Sequence, residues 1–351
     1  MKKKNRWAFF LVVACVLLPM MALCSCEKTK EKFTTYSFDY FDTVTTIIGY
    51  ESDKEEFDKV SGYILSELGD YHKLFTVYNR YEGMENLCTV NDIVDGAHRT
   101  VKVDERIIDM LIYARQMYEK TNGKLNVAMG SVLSIWHGYR QEGEKNPAKA
   151  ELPPMDKLLA AADHTDISNM VIDTENCTVT LTDPQMTLDV GAIAKGYAVE
   201  MVARSLKEKG ISGYVINVGG NVRTVGAKPD LEAWSVGIEN PDEDGSDYIA
   251  YLNLTDMSLV TSGSYQRYYF VDGEKYHHII DPETLMPAQR YTSVSIVCES
   301  SALGDALSTA LFCMTLEEGK ALVESLDGVE ALWLTNDGNI HRSSGFSKYE
   351  N

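Results

Sequence analysis

Leu188-Asp189-Val190-Gly191-Ala192-Ile193-Ala194-Lys195-Gly196-Tyr197 sets an acid, a glycine turn and a lysine where a strand-like stretch gives way to a helix-like one. Met186 to Val190 alternates apolar and polar residues, which predicts a strand. From Ala194 to Leu206 the residues Val199, Val202 and Leu206 recur at helical spacing, ahead of a stop at Gly210. A helix start presents unpaired N–H groups and the positive end of its dipole, so the junction suits an anionic group such as a phosphate. Lys195, one step inside, adds a full charge. Asp189 is placed to bind a ribose or base edge, or to anchor the turn. A plain strand-to-helix connection with a surface lysine carries the same pattern, because short glycine motifs arise by chance.

Downstream of this junction the chain is strand-rich. Tyr214-Val215-Ile216-Asn217-Val218 runs into Gly219-Gly220-Asn221, and strands follow at Trp234 to Ile238 and Ala250 to Leu254. Helices are predicted from about Ser301 and from Thr315, where Glu318 completes a capping-box spacing. Upstream, strands at Thr34 to Phe38 and Thr43 to Tyr50 precede a helix opened by Ser52 and Glu55. Phe57, Val60, Ile64, Leu68 and Tyr71 give that helix its buried stripe. A further helix is predicted from Asp104, and residues 140–160, charged and proline-bearing, read as a surface excursion. Strands and helices in this irregular order predict an α+β fold, in one compact unit with sublobes.

The first 26 residues form a basic start and an apolar run from Trp7 to Leu23, ending in Leu23-Cys24-Ser25-Cys26. This pattern predicts a lipoprotein signal peptide, cleavage before Cys26 and lipidation of its thiol; the alternative is an uncleaved anchor. Residues 27–35 read as a tether, and 36–351 as the exported, extracytoplasmic body. Residues 1–26 carry four basic and no acidic residues, so their removal takes the formal charge from −19 to −23. So acidic a body repels nucleic acid. To hold a polyphosphate it needs local cations, and a bound metal is the expected source. Cys88, Cys177, Cys298 and Cys313 have neither zinc-site nor Cys-x-x-Cys spacing.

Two groups of residues carry chemistry. Asp305 and Thr309, four apart on one predicted helix face, offer hard oxygen ligands of the kind magnesium takes. The same pair also fits an ordinary polar face of a helix that packs Leu303, Leu307, Ala310 and Met314 inward. Thr261-Ser262-Gly263-Ser264-Tyr265 and Tyr276-His277-His278-Ile279-Ile280-Asp281-Pro282 form the second group. No Gly-x-Ser-x-Gly elbow accompanies them, which argues against a serine hydrolase. His278 is placed as a general base or substrate ligand, or as a histidine satisfied by backbone at a strand end.

Taken in order, Asp189 to Tyr197, Asn217-Val218-Gly219-Gly220-Asn221, Thr261 to Tyr265, His278 to Pro282 and Asp305-Ala306-Leu307-Ser308-Thr309 resemble the ApbE-type FAD:protein FMN transferase family over nearly the whole body. The resemblance implies mixed sheets with flanking helices and a flavin cleft between sublobes. It also implies Mg²⁺-dependent transfer of FMN from FAD to a threonine of an exported flavoprotein, with release of AMP. Carried onto this chain, the metal ligands would be Asp305, Thr309 and the Ala192 carbonyl. FAD contacts would come from Phe41, Tyr78, Lys124, Leu125, Asn126, Asp189, Lys195 and Ile280, with His278 in proton transfer or orientation. Either Tyr78 or Tyr81 would stack on the flavin. Phe41-Asp42-Thr43 stands where the family usually has Met-Gly-Thr, and Leu285 where it commonly has glycine. Leucine resists positive φ, so a different turn is expected there. Two other functions fit the same site: a magnesium-dependent FAD pyrophosphatase giving FMN and AMP, and a non-catalytic flavin-binding lipoprotein.

Overall fold

The computed structural model describes residues 29–94, 96–98, 100–230, 232–242 and 245–351. The expected signal peptide and the expected lipidation site, Cys26, lie outside the described residues. Eight strands form the main sheet: β1 (Glu31–Ser37), β2 (Thr45–Glu51), β3 (Tyr214–Val218), β4 (Asn221–Val225), β5 (Ser258–Gly263), β6 (Tyr291–Cys298), β7 (Glu330–Thr335) and β8 (Ile340–Arg342). They lie in the order of the sequence, and every neighbouring pair is antiparallel. β1 starts inside the stretch read as a tether. Phe33 pairs with Gly49 and stacks on Phe57 at 5.5 Å, which ties this segment into the body.

Between β2 and β3 the chain leaves the sheet and builds most of the helical layer. Helix α1 (Lys54–Phe75) buries Phe57, Ile64, Leu68 and Tyr71. Its cap is Asp53, whose carboxylate accepts the Glu56 N–H, in place of the expected Ser52 and Glu55 pair. Helix α2 (Glu105–Lys120) starts at an Asp104 cap. Helices α3 (Gly130–Lys145) and α4 (Met155–Ala162) occupy the region read as an excursion. Most of residues 140–160 is exposed, as that reading has it; the exceptions include Leu158, which sits in a second apolar cluster with Met129, Val132, Trp136, Tyr269, Ile280 and Leu285. Helix α5 (Ala194–Glu208) follows, and α6 (Ser301–Cys313) and α7 (Leu316–Glu324) come after β6. The Thr315 and Glu318 capping box is present as read. The architecture is α+β.

Two local readings change. Met186 to Val190 is extended and buries Met186, Leu188 and Val190, but it belongs to no sheet. Its backbone bonds go elsewhere: Asp189 N–H to Val127 O, and Leu188 to the Asn91 side-chain amide in both directions. Leu285 does adopt the left-handed region, with φ +59°, so the turn keeps the backbone of a glycine. Left-handed backbone costs about 1–2 kcal/mol, and burying a leucine returns about as much. Leu285 is buried, and its carbonyl accepts the Trp136 indole N–H at 2.8 Å. Phe41 and Asp42 are also left-handed, at φ +56° and +51°. Asp42 thus holds the backbone course that glycine would take, and aspartate tolerates that region better than most residues.

Candidate active site

A cleft of about 310 Å³ opens between the helices on the main sheet and the second apolar cluster. It is lined by Phe41, Tyr78, Lys124, Leu125, Asn126, Asp189, Ala192, Lys195, His278, Ile280, Asp305 and Thr309. Residues spread over most of the body are therefore brought to one place.

Its deepest wall is where α5 meets α6. Asp305 is 3% exposed; its Oδ2 accepts the Gly196 N–H at 2.8 Å and its Oδ1 accepts the Asn221 amide at 3.1 Å. Lys195 Nζ lies 3.6 Å from Oδ1 and also reaches the Gly191 carbonyl at 3.4 Å. Thr309 Oγ1 is 3.4 Å from Ser262 Oγ, which pairs with Ser308 at 2.8 Å. The α5 start therefore commits its Gly196 N–H to a carboxylate, and that carboxylate retains lone pairs for a cation. Among the described residues no three His, Cys, Asp or Glu side chains converge as a metal cage. One carboxylate with a hydroxyl and a carbonyl is a hard oxygen set of the sort that magnesium completes with water and phosphate, so the residues present fit that ion.

Asp189 anchors the turn by accepting the Gly191 N–H at 2.8 Å. Burial raises its pKa, opposed by that bond and by His137, Arg267 and Arg140. Lys124 donates to Asp281 at 3.1 Å and lies 3.0 Å from Glu283 Oε1, while the Asn126 side chain is used by Ala128 N–H and Thr165 O. Leu125 is buried. The Lys124 and Asn126 side chains are therefore already engaged by protein partners. Tyr78 is 60% exposed at the mouth and stacks on His137 at 5.5 Å, whereas Tyr81 bridges Met84 within its own loop. Phe41 packs edge-on against His72, whose Nδ1 accepts its N–H at 3.1 Å.

The two adjacent histidines divide their roles. His277 is buried; its Nε2 lies 2.7 Å from the Ala288 carbonyl and its Nδ1 accepts the Ile279 N–H at 3.2 Å. These bonds select the neutral Nε2–H tautomer, and burial pushes its pKa down to about 4. A folded pKa below the unfolded one means full stability above about pH 6.5, lost as pH falls towards 4, by on the order of 3 kcal/mol. Thermal melts between pH 7 and 4 should show His277→Gln losing that part of the acid slope; an unchanged slope would contradict it. His278 instead turns to the cleft, its Nδ1 3.3 Å from the Arg267 carbonyl. Burial, then Arg267 and Arg140, hold its pKa well below the ordinary value.

Sequence reasoning missed the cationic wall. Arg140 pairs with His137 Nδ1 at 3.0 Å and Glu144 at 3.5 Å, and Arg267 reaches the Asp42 carbonyl at 3.4 Å; both line the cleft. His137 and Arg140 are three apart on α3, a helix the sequence reading did not place. Arg267 stands between the two segments of the second polar group and was not singled out.

The model of the ApbE family matches residues 41–333, which include every cleft residue named above. The chain belongs to the ApbE family. A Klebsiella pneumoniae (strain 342) protein named FAD:protein FMN transferase is 30% identical over 285 residues, covering 78% of this chain and 84% of the relative. One of the same name from Treponema pallidum (strain Nichols) is 33% identical over 260 residues, covering 70% of each. The crystal structure of the Thermotoga maritima ApbE protein superposes with a TM-score of 0.79 at 28% identity, over 92% of this chain and 100% of the other. The Vibrio cholerae flavin transferase ApbE shares the fold, with a TM-score of 0.74 at 24% identity over 91% of this chain and 99% of the other. The ApbE cleft of this chain thus sits in an architecture common to these proteins.

Proposed function

We propose that this ApbE-family chain is an FAD:protein FMN transferase, attaching FMN from FAD to a threonine of a partner flavoprotein and releasing AMP. The observation that supports it most is the pairing of the buried Asp305 carboxylate with Lys195 at the start of α5, inside a cleft whose other wall carries Arg140, Arg267 and His278. Asp305, Thr309 and the Ala192 carbonyl would hold Mg²⁺, which when bound neutralises pyrophosphate charge and polarises the phosphorus. Lys195 binds and orients the same anion. Arg140 and Arg267 give an acidic protein a locally positive wall for it.

The transfer forms a bond from the threonine Oγ to the FMN phosphorus and breaks the phosphorus–oxygen bond to AMP, which leaves as the anion. The threonine proton needs an acceptor. A Nδ1–H of His278 directed at the Arg267 carbonyl would leave its Nε2 lone pair to take it, although burial, Arg267 and Arg140 hold the His278 pKa low and weaken it as a base. Tyr78 and His137 offer a stacked aromatic surface at the mouth for a planar ring. The reading extends to a lipid-anchored enzyme on the outer side of a bacterial cell membrane, on the strength of the Leu23-Cys24-Ser25-Cys26 sequence. Among the described residues no helix is long and apolar enough to cross a membrane.

Mass spectrometry of the full chain in detergent with FAD, Mg²⁺ and threonine-bearing flavoprotein domains tests the activity. An FMN adduct lost on chelation is expected; free FMN and AMP with unmodified acceptors would replace the transferase by a pyrophosphatase. Lys195→Ala is expected to weaken FAD binding by at least about tenfold, since it removes a charge-assisted contact to the diphosphate. Titration of flavin fluorescence checks this, and unchanged affinity would remove Lys195 from the phosphate site.

A further inference from the structure

We propose that the threonine-bearing segment of the acceptor lies in a trough on the outer face of the main sheet and enters the cleft through a gate formed by Thr43, Gly219, Thr261 and Gln266. The inference rests on the transferase reading above. A second cavity, of about 860 Å³, runs over this face, and those four residues line both it and the cleft. Its floor is set by register. Thr46 pairs with Asn217 and Ile48 with Val215, so these four share one face, opposite Thr45 and Ile47, which are buried. Trp234 and Val236 form a further wall. The floor is therefore a band of short polar and apolar side chains, suited to an extended segment.

The gate opens at the reacting group. Gly219 and Gly220 lead into Asn221, whose amide holds Asp305. Thr261 precedes Ser262, whose hydroxyl is 3.4 Å from Thr309. One side of the gate is closely packed: Gly219 has φ +54°, and a Cβ there would fall 2.4 Å from Thr43 Oγ1, so Thr43 rests directly on the Gly219 backbone. A phosphoryl displacement places the attacking and leaving oxygens roughly in line. FAD occupies the cleft with its departing AMP, so the attacking hydroxyl needs a second approach to the same phosphorus. The trough supplies one, and its required occupant is a hydroxyl carried on a chain.

The full chain in detergent is assayed with whichever flavoprotein domain the wild type modifies, and with a 15-residue peptide spanning the modified threonine. Thr46→Trp and Ile48→Arg, which fill the floor without touching a proposed metal or FAD residue, are expected to raise the acceptor KM by at least about tenfold. FAD affinity should stay unchanged. A photo-crosslinking residue at position 46 should capture the peptide. If the wild type transfers and both folded variants keep the acceptor KM, the docking inference is overturned alone. If the variants instead lose FAD affinity, the trough belongs to FAD and the inference is likewise overturned. If the wild type modifies no acceptor, the transferase reading falls and the docking inference with it.

Discussion

Replacing Asp305 by alanine is expected to lower FMN transfer by at least about 10³-fold, because it removes the one carboxylate proposed to hold the cation at the diphosphate. The loss should be electrostatic more than structural. Asp305 is nevertheless buried and accepts two hydrogen bonds, from Gly196 N–H and the Asn221 amide. Alanine strands both donors, which costs on the order of 1–3 kcal/mol of stability. Asp305→Asn separates the two effects: it is nearly isosteric and keeps an acceptor oxygen for Gly196, but it carries no charge. If charge is what matters, both variants should lose activity while asparagine melts closer to the wild type. AMP release measured against Mg²⁺ concentration, beside a melting curve, decides it. Undiminished turnover at saturating Mg²⁺ in a folded variant would remove Asp305 from the metal site.

What could be read from the sequence is what a few neighbouring residues settle among themselves. The capping box of Thr315 and Glu318, the stop at Gly210 and the shared face of Asp305 and Thr309 all depend on spacings of three or four residues, and each is found where the spacing put it. Apart from the Ser52 and Glu55 pair, a local spacing displaced by one residue to Asp53 and Glu56, the readings that failed depend on distant partners. Met186 to Val190 alternates because alternate side chains are buried, which is true of any extended segment pressed on a core. Whether it joins a sheet depends on Asn91 and Val127, far away in sequence. Leu285, in a turn, takes a left-handed backbone because Trp136, on helix α3, bonds its carbonyl and lies in the same apolar cluster. The expectation that leucine would change the turn weighed the local cost without the distant gain. The acidic net charge likewise pointed to a metal as the source of positive charge. It could not show Arg140, Arg267 and Lys195 gathered in one cleft, since a total says nothing of distribution.

Gly196 makes the strongest structural prediction in the chain. Its N–H bonds Asp305, and a Cβ at this position would fall 2.4 Å from both Asp305 Cβ and the Ser301 carbonyl oxygen. Both obstacles are fixed: one is backbone and the other the root of a buried side chain. Gly196→Ala must therefore push α5 away from α6, at a cost of about 3 kcal/mol, the upper part of the usual range for overpacking. A Tm lower by roughly 4–5 °C follows for a body of this size. The same displacement moves Lys195 and the N–H donor away from Asp305, so transfer should fall as well, and more steeply than FAD affinity. Gly62, inside α1, is the control, because nothing lies within 4 Å of a Cβ built there. Alanine at that position should leave activity unchanged and raise stability by up to about 1 kcal/mol, through helix propensity alone. Calorimetry of the two variants checks the contrast. A Gly196→Ala protein as stable and active as Gly62→Ala would mean that the close approach of α5 and α6 is not what holds Asp305 in place.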